Sequence, residues 1–305
     1  MKKRAVILIF FLISFTRLFG QAPSWNVIES NYQYTMTFVA KLNVDGAQLK
    51  SSNDMVGAFV GTICRGVSKL TYVASANSYF AYLTVFSNTP GEAITFNIYD
   101  SSKNKVTKVS KTINFVANQH LGNLFQSYSI AEPALNNKAE IVSFDFFNIK
   151  SLSSLISASS VKLGISESYP LTSLTPVYVL SKGANLFKNR ILQSSNTTSM
   201  SFVAPVNYEV LSEDESTLSN YTVEVTSTPD PPLFYKKDAV CSTPGAIRVV
   251  SKRDGSDVQL SFNGKLKETK QIVSGEAVFT NLLIGTYVAT IGNVNKVIVI
   301  NLKVK

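Results

Sequence analysis

Two side chains with reactive chemistry stand next to each other in "AFVGTICRGV", residues 58–67: the thiol of Cys64 and the guanidinium of Arg65. A thiol attacks only as a thiolate, which a nearby cation favours, and it needs a base that a third group orients. The chain has one histidine, His120, in the polar stretch "ANQHLGN", and none of the local signatures of cysteine proteases surrounds Cys64. Gly61-Thr62 separates two short extended runs. A Gly-X pair there is a type II′ hairpin turn, because glycine supplies the positive φ at the first turn position. Cys64 then lies inside a strand, facing away from Ile63 and Arg65, as a small buried structural residue. Arg65 is expected to be partly buried and bonded to Asp54 or nearby turn carbonyls, since arginine offers five donors in a fixed fork. Asp54, Cys64, Arg65 and Gly66 thus form a structural motif, and no residue is assigned a catalytic role.

The remaining constellations point the same way. "SEDES", residues 212–216, gathers three carboxylates. Calcium takes six to eight oxygens, but this spacing fits no calcium loop, and a solvated hairpin turn is expected. No carboxylate pair stands out for glycoside hydrolysis, and there is no phosphate-binding glycine loop and no metal cluster of histidines or cysteines. No cofactor and no metal are expected. Sugars stack on exposed rings, which makes Trp25, Tyr72, Tyr79 and Tyr82 the candidate ligand contacts. A carbohydrate-binding role would need such rings exposed and coplanar on one sheet face. Most rings at such positions are core or cross-strand neighbours, and Trp25, preceding the first strand, is expected to cover the sandwich end.

The amino terminus sets the compartment. "MKKR" is followed by the apolar run Ala5 to Phe15 and then by "TRLFGQ", with Gly20 as the small residue before the cut. This is the plan of a secretory signal peptide over residues 1–20. A run of eleven residues is too short for a spanning helix, which needs roughly 20, so no membrane span is expected after cleavage. Removing Lys2, Lys3, Arg4 and Arg17 lowers the formal charge of the 305-residue chain from +9 by four, to +5. The remaining basic residues are dispersed, whereas nucleic-acid binders cluster them. No nucleic-acid partner is expected. The partner would be an extracellular protein or glycan. Only two cysteines, Cys64 and Cys241, are present, so a dense disulfide framework is excluded. Both thiols are expected to be mostly buried and unpaired.

The elements that must position these residues are strands. In "YTMTFVAKLNV" Tyr34, Met36, Phe38, Ala40, Leu42 and Val44 share one face, a period of two. "YFAYLTVF", "AITFNIYD", "AEIVSFDFF", "TPVYVLS", "VNYEVLS", "NYTVEVTS", "AIRVVS", "DVQLSF", "GTYVATI" and "KVIVINLKV" continue the theme, with turn signals between them. "LSSLISASS" comes nearest to a helical period, and its serines weaken it. The fold class is all-β: three consecutive immunoglobulin-like β-sandwich modules after the signal peptide. "AEPALNNK" and the proline-rich "TSTPDPP" mark the boundaries. The expected division is 21–132, 138–227 and 228–305, the last a small C-terminal sandwich.

Three resemblances follow from these residues. The run from Trp25 through "YQYTMTFVAKLNVDG", "DMVGAFVGTICRGVSKL", "YFAYLTVF" and "GEAITFNIYD" resembles a module common in secreted proteins of gliding, polymer-degrading Gram-negative bacteria. That module implies no catalytic role, and its cysteine recurs without a fixed histidine. Residues 138–226, with "AEIVSFDFF", "LTSLTPVYVLSKGANL" and "FVAPVNYEVLSEDESTLSNYTVEV", are similar to bacterial immunoglobulin-like surface domains of unknown function. Glu215 departs from that pattern, standing where glycine is usual in a shorter turn. The closing "FTNLLIGTYVATIGNVNKVIVINLKVK" looks like the short C-terminal sandwiches that direct export by the type nine secretion system, and also like carboxypeptidase-regulatory-type sandwiches. The early Asn-Pro motif of the sorting domains is missing. Leu282, Tyr287, Val288, Ile291, Val297 and Val299 are expected to supply the apolar face of its last sheet, with Lys303 and Lys305 keeping the edge soluble. Together these imply an exported protein, extracellular or on the outer cell surface, that is not an enzyme. Its expected role is interaction or adhesion. The alternative is a carbohydrate-binding accessory protein of an extracellular polymer-degrading system.

Overall fold

The structure, a computed structural model, describes residues 22–241 and 243–303. The signal peptide expected at 1–20, and Lys305, lie outside the described residues. Among these the chain is all-β, with two three-residue 3-10 turns at Glu29–Asn31 and Ala74–Ala76 as its helical elements. By contacts it divides into two compact units. One takes residues up to Glu140 together with Leu180–Phe187 and Glu209–Ser219, and the other takes the remainder.

Alternation builds the first sheets. Strand Tyr34–Val44 buries Met36, Phe38, Ala40, Leu42 and Val44 on one side; on the other, Thr37, Lys41 and Asn43 are half-exposed and Val39 is buried. It pairs antiparallel with Ser78–Ser87, setting Thr35 opposite Phe86, Thr37 opposite Thr84 and Val39 opposite Tyr82. The strand order is Tyr128–Glu132, Tyr34–Val44, Ser78–Ser87, Ile63–Val73, Met55–Val60, Ala93–Asp100, Lys105–Lys108. The long strand Ile63–Val73 pairs first with Met55–Val60 and then, through its last four residues, with Ser78–Ser87. It thereby carries the chain from one sheet layer to the other. Both layers close on one core, in which Phe38 meets Phe96 and Tyr128 edge to face.

Between residues 141 and 228 a sheet runs in the order Ser153–Ile156, Ser160–Ser166, Leu218–Thr228, Val206–Leu211, Asn185–Lys188, Ile191–Gln193, beside the pair Ile141–Phe146 and Pro176–Leu180. The serine-rich segment that comes nearest to a helix in sequence is a hairpin. Ser157 Oγ accepts the Ser160 amide at 3.1 Å, and such local side-chain bonds compete with helix. Phe144, Phe146 and Phe202 form an aromatic cluster there.

Residues 233–303 build their own sheets around Ile247, Val249, Leu260, Phe279, Tyr287 and Ile300. The apolar face predicted for the last hairpin needs one correction. Leu282, Tyr287 and Ile291 are buried, but Val288 is only half-buried, Val297 and Val299 stand 62% and 45% exposed, and Ala289, Ile298 and Ile300 point inward instead. The register sets Val288 opposite Val297 and Thr286 opposite Val299, so both valines share the outer face. No helix among the described residues is long and apolar enough to cross a membrane.

Candidate functional site

Gly61 has a φ of 58° and joins Val60 to its partner Ile63 in a two-residue hairpin, as the Gly-X signal predicts. Cys64 lies opposite Phe59 on the outer face of that hairpin, and its Sγ donates to the Gly66 carbonyl at 3.5 Å. Burial pushes the thiol pKa up, against the lowering effect of backbone contacts with Gly66 and Asn26. This is the wrong direction for a nucleophile. His120 lies three strand positions away from the Cys64 strand in sheet order, beyond Tyr34–Val44, with Nδ1 2.9 Å from Thr37 Oγ1. Both cysteines are free thiols, but neither is fully buried. Cys64 is half-buried because its sheet face is only partly covered, and Cys241 is exposed just past the short strand Ala239–Val240.

Around this hairpin two glycines are required by space. A Cβ on Gly66 would lie 2.1 Å from the Thr84 carbonyl oxygen, so only glycine lets the two strands pass. A Cβ on Gly57 would lie 2.8 Å from the Trp25 ring. Trp25 thus seats on the outer face of Met55–Val60, edge to face with Phe59 at 5.6 Å, rather than over the sandwich end.

The expected bond between Arg65 and Asp54 is not formed. Phe59 pairs with Cys64 while Ala58 pairs with Gly66, which leaves Arg65 as the extra residue of a β-bulge. The bulge swings the side chain off the hairpin partner and toward the start of Ala93–Asp100. There Arg65 Nη2 donates to Glu92 Oε1 at 3.2 Å, and the guanidinium stacks on Tyr32 at 4.7 Å. Ser87 Oγ donates to the other Glu92 oxygen. Asp54 is occupied elsewhere. It accepts the Ser51 amide at 3.0 Å, the Ser101 amide at 2.9 Å and Ser101 Oγ at 2.6 Å, clasping two loops. Arg65 is more deeply buried than the partial burial expected, and its partner is the Glu92 carboxylate rather than Asp54, because the bulge breaks period two.

The acidic turn is only partly solvated: Ser216 and Thr217 are exposed, and Glu213 and Glu215 are half-buried. Asp214 is buried and accepts both Ser212 Oγ and Ser216 Oγ at 2.7 Å. Glu213 accepts the Asn136 amide at 3.0 Å. Glu215 accepts Lys41 Nζ at 2.6 Å, Ser127 Oγ at 2.5 Å and the Ser127 amide at 3.1 Å. Its φ of 58° keeps the left-handed backbone that glycine would give, and the side chain adds the docking bonds. Each of the three carboxylates is thus turned onto protein donors.

The four candidate rings do not share a face. Tyr72 and Tyr79 are cross-strand partners, their rings 5.2 Å apart, on the side of the sheet that holds Leu70 and Leu83. Tyr82 points the other way and is 50% exposed. Thr84 and Phe86, half-buried, follow it on the same side of the strand, whereas Phe80, also on that side, is buried with Lys41 over its ring. Thr37 lies beside Thr84, His120 beside Thr37, and Tyr32 meets Phe86 at 6.4 Å. Parity along "YFAYLTVF" could have picked Thr84 and Phe86. His120 could not be placed without the register.

The comparisons bear on the middle of the chain. Residues 141–225 match the family model described as SGBP, N-terminal. The match spans well under half of the chain and falls within the segment that resembles immunoglobulin-like surface domains. No curated protein matches. Among solved structures, a protein of Bacteroides thetaiotaomicron described as a candidate glycoside hydrolase is 21% identical, over 45% of this chain and 36% of its own, with a TM-score of 0.27. Domains 3–5 of Drosophila OTK are 13% identical over 92% of this chain and 99% of theirs, with a TM-score of 0.20. The titin fragment I67–I69 is 12% identical over 89% and 99%, with a TM-score of 0.22. Scores at this level do not establish a shared arrangement.

Proposed function

We propose that this protein is an exported, non-catalytic accessory protein that binds glycans at the cell surface. The observation that carries the proposal is the match of residues 141–225 to the SGBP (surface glycan-binding protein) N-terminal family. The local chemistry supports it. The thiol is held protonated, its hairpin lies apart from the histidine, and the clustered carboxylates are bonded to protein donors. What remains is a set of rigid sandwiches with side chains on open faces and loops, suited to passive recognition. Sandwiches over 21–132, 138–227 and 228–305 would share the work, the last serving as an export address.

Two measurements test the reading. Fractionation of producing cells with surface proteolysis is expected to find the protein outside the cell, and confinement to the cytoplasm would end the proposal. Deletion of 229–305 is expected to strand the rest in the periplasm, whereas normal arrival outside would show that this sandwich is not an address.

A further inference from the structure

The outward face of strands Tyr34–Val44 and Ser78–Ser87 carries a pattern of its own. Past Phe80, which Lys41 covers, the side chains on this side of Ser78–Ser87 run Tyr82, exposed, then Thr84 and Phe86, half-exposed: a ring, a hydroxyl and a ring. At roughly 3.4 Å per residue Tyr82 and Phe86 are attached about 14 Å apart, the length of a few linked pyranose rings. Across the strands, the row at Thr84 continues to Thr37 and then to His120. Thr37 Oγ1 and His120 Nδ1 already bond at 2.9 Å, which fixes the imidazole toward this row. Two aromatic stations therefore flank a line of hydroxyl, hydroxyl and imidazole.

We propose that this face binds a neutral polysaccharide chain lying along Ser78–Ser87, with Tyr82 and Phe86 stacking on sugar rings and Thr84, Thr37 and His120 bonding hydroxyls between them. The proposal rests on the glycan-binding reading and gives it a location. A sugar presents apolar C–H faces and a rim of hydroxyls, and ring–polar–ring matches that alternation. A protein partner would call for a continuous apolar centre at the patch, which the threonine row interrupts. Anionic glycans and nucleic acids would call for cations. The cations beside this face are already paired: Arg65 lies against Tyr32 and pairs with Glu92, and Lys41 lies over Phe80 and pairs with Glu215.

The test is affinity electrophoresis of the full mature chain in gels containing soluble starch, xyloglucan, mixed-linkage glucan, xylan or mannan, followed by calorimetry with oligosaccharides of the retarding polymer. Tyr82→Ala is expected to weaken binding about tenfold or more, the scale of a lost aromatic anchor. His120→Ala weakens it less, and Tyr82→Phe, which keeps the ring, retains most of it. Tyr72→Ala, on the opposite side of the sheet, leaves affinity unchanged, and melting curves confirm that each variant is folded. Retardation of the natural chain with equal retardation of Tyr82→Ala and of the Tyr82→Ala/Phe86→Ala pair overturns this site but leaves the glycan reading standing. No retardation in any gel overturns both.

Discussion

Tyr128 shows how much a single atom contributes. Its ring packs between Phe38 and Phe96, Lys111 lies over it at 4.8 Å, and its buried hydroxyl has no hydrogen-bond partner. An unpaired buried hydroxyl costs free energy, so Tyr128→Phe is expected to leave stability unchanged or raise it by about 1 kcal/mol, read from urea unfolding. Burial also pushes this phenol up to about 12. In the unfolded chain it ionises near 10. The folded state therefore holds the proton longer, and this contribution is fully present below about pH 10 and lost as pH rises toward 12. Tyr128→Phe should flatten the alkaline fall in stability, and an unchanged alkaline profile would count against the assignment. At Gly66 the sign is opposite. Alanine forces its Cβ against the Thr84 carbonyl, so Gly66→Ala should cost about 3 kcal/mol. The thiols give a third check. With a disulfide-exchange reagent at neutral pH, Cys241 should react first and Cys64 slowly, because burial raises the Cys64 pKa. Equal rates would show that the hairpin face is open.

At the scale of elements the acidic turn between Val206–Leu211 and Leu218–Thr228 is the informative piece. Glu215 holds a left-handed backbone and docks on Lys41 and Ser127. Glu215→Gly loses the docking but relaxes the backbone, while Glu215→Ala loses the docking and keeps the strain. Alanine should therefore be more destabilising than glycine by about 1 kcal/mol, compared by denaturant midpoints. If the two variants match, the backbone at 215 is not strained. Much of this scale was legible in advance. Alternation gave the strands and their buried faces from Tyr34–Val44 onward, and Gly61-Thr62 gave the hairpin turn. What defeated the sequence was whatever depends on pairing across long separations. The bulge at Arg65 needs the register of Met55–Val60 against its partner. The inversion of Val297 and Ile298 needs the register of the last hairpin. The alignment of His120 with Thr37 joins segments 83 positions apart in the chain.

At the scale of the whole molecule, residues 233–303 form sheets, among the described residues, from their own strands around their own core. A fragment of residues 229–305 should fold alone and unfold cooperatively, seen as a single transition by circular dichroism, and a featureless melt would mean that it leans on the rest. The sequence reading of an all-β, sandwich-built chain held at this scale, because periodicity is a local property that survives any arrangement of the modules. The seat of Trp25 on Gly57 has an optical consequence. The chain contains one tryptophan, so fluorescence excited at wavelengths that tyrosine does not absorb reports on the hairpin that Trp25 covers. A fluorescence melt and a circular dichroism melt would coincide only if that hairpin and the remaining sandwiches come apart together. A gap between the two curves would measure, without any label, how independently the first sheets unfold.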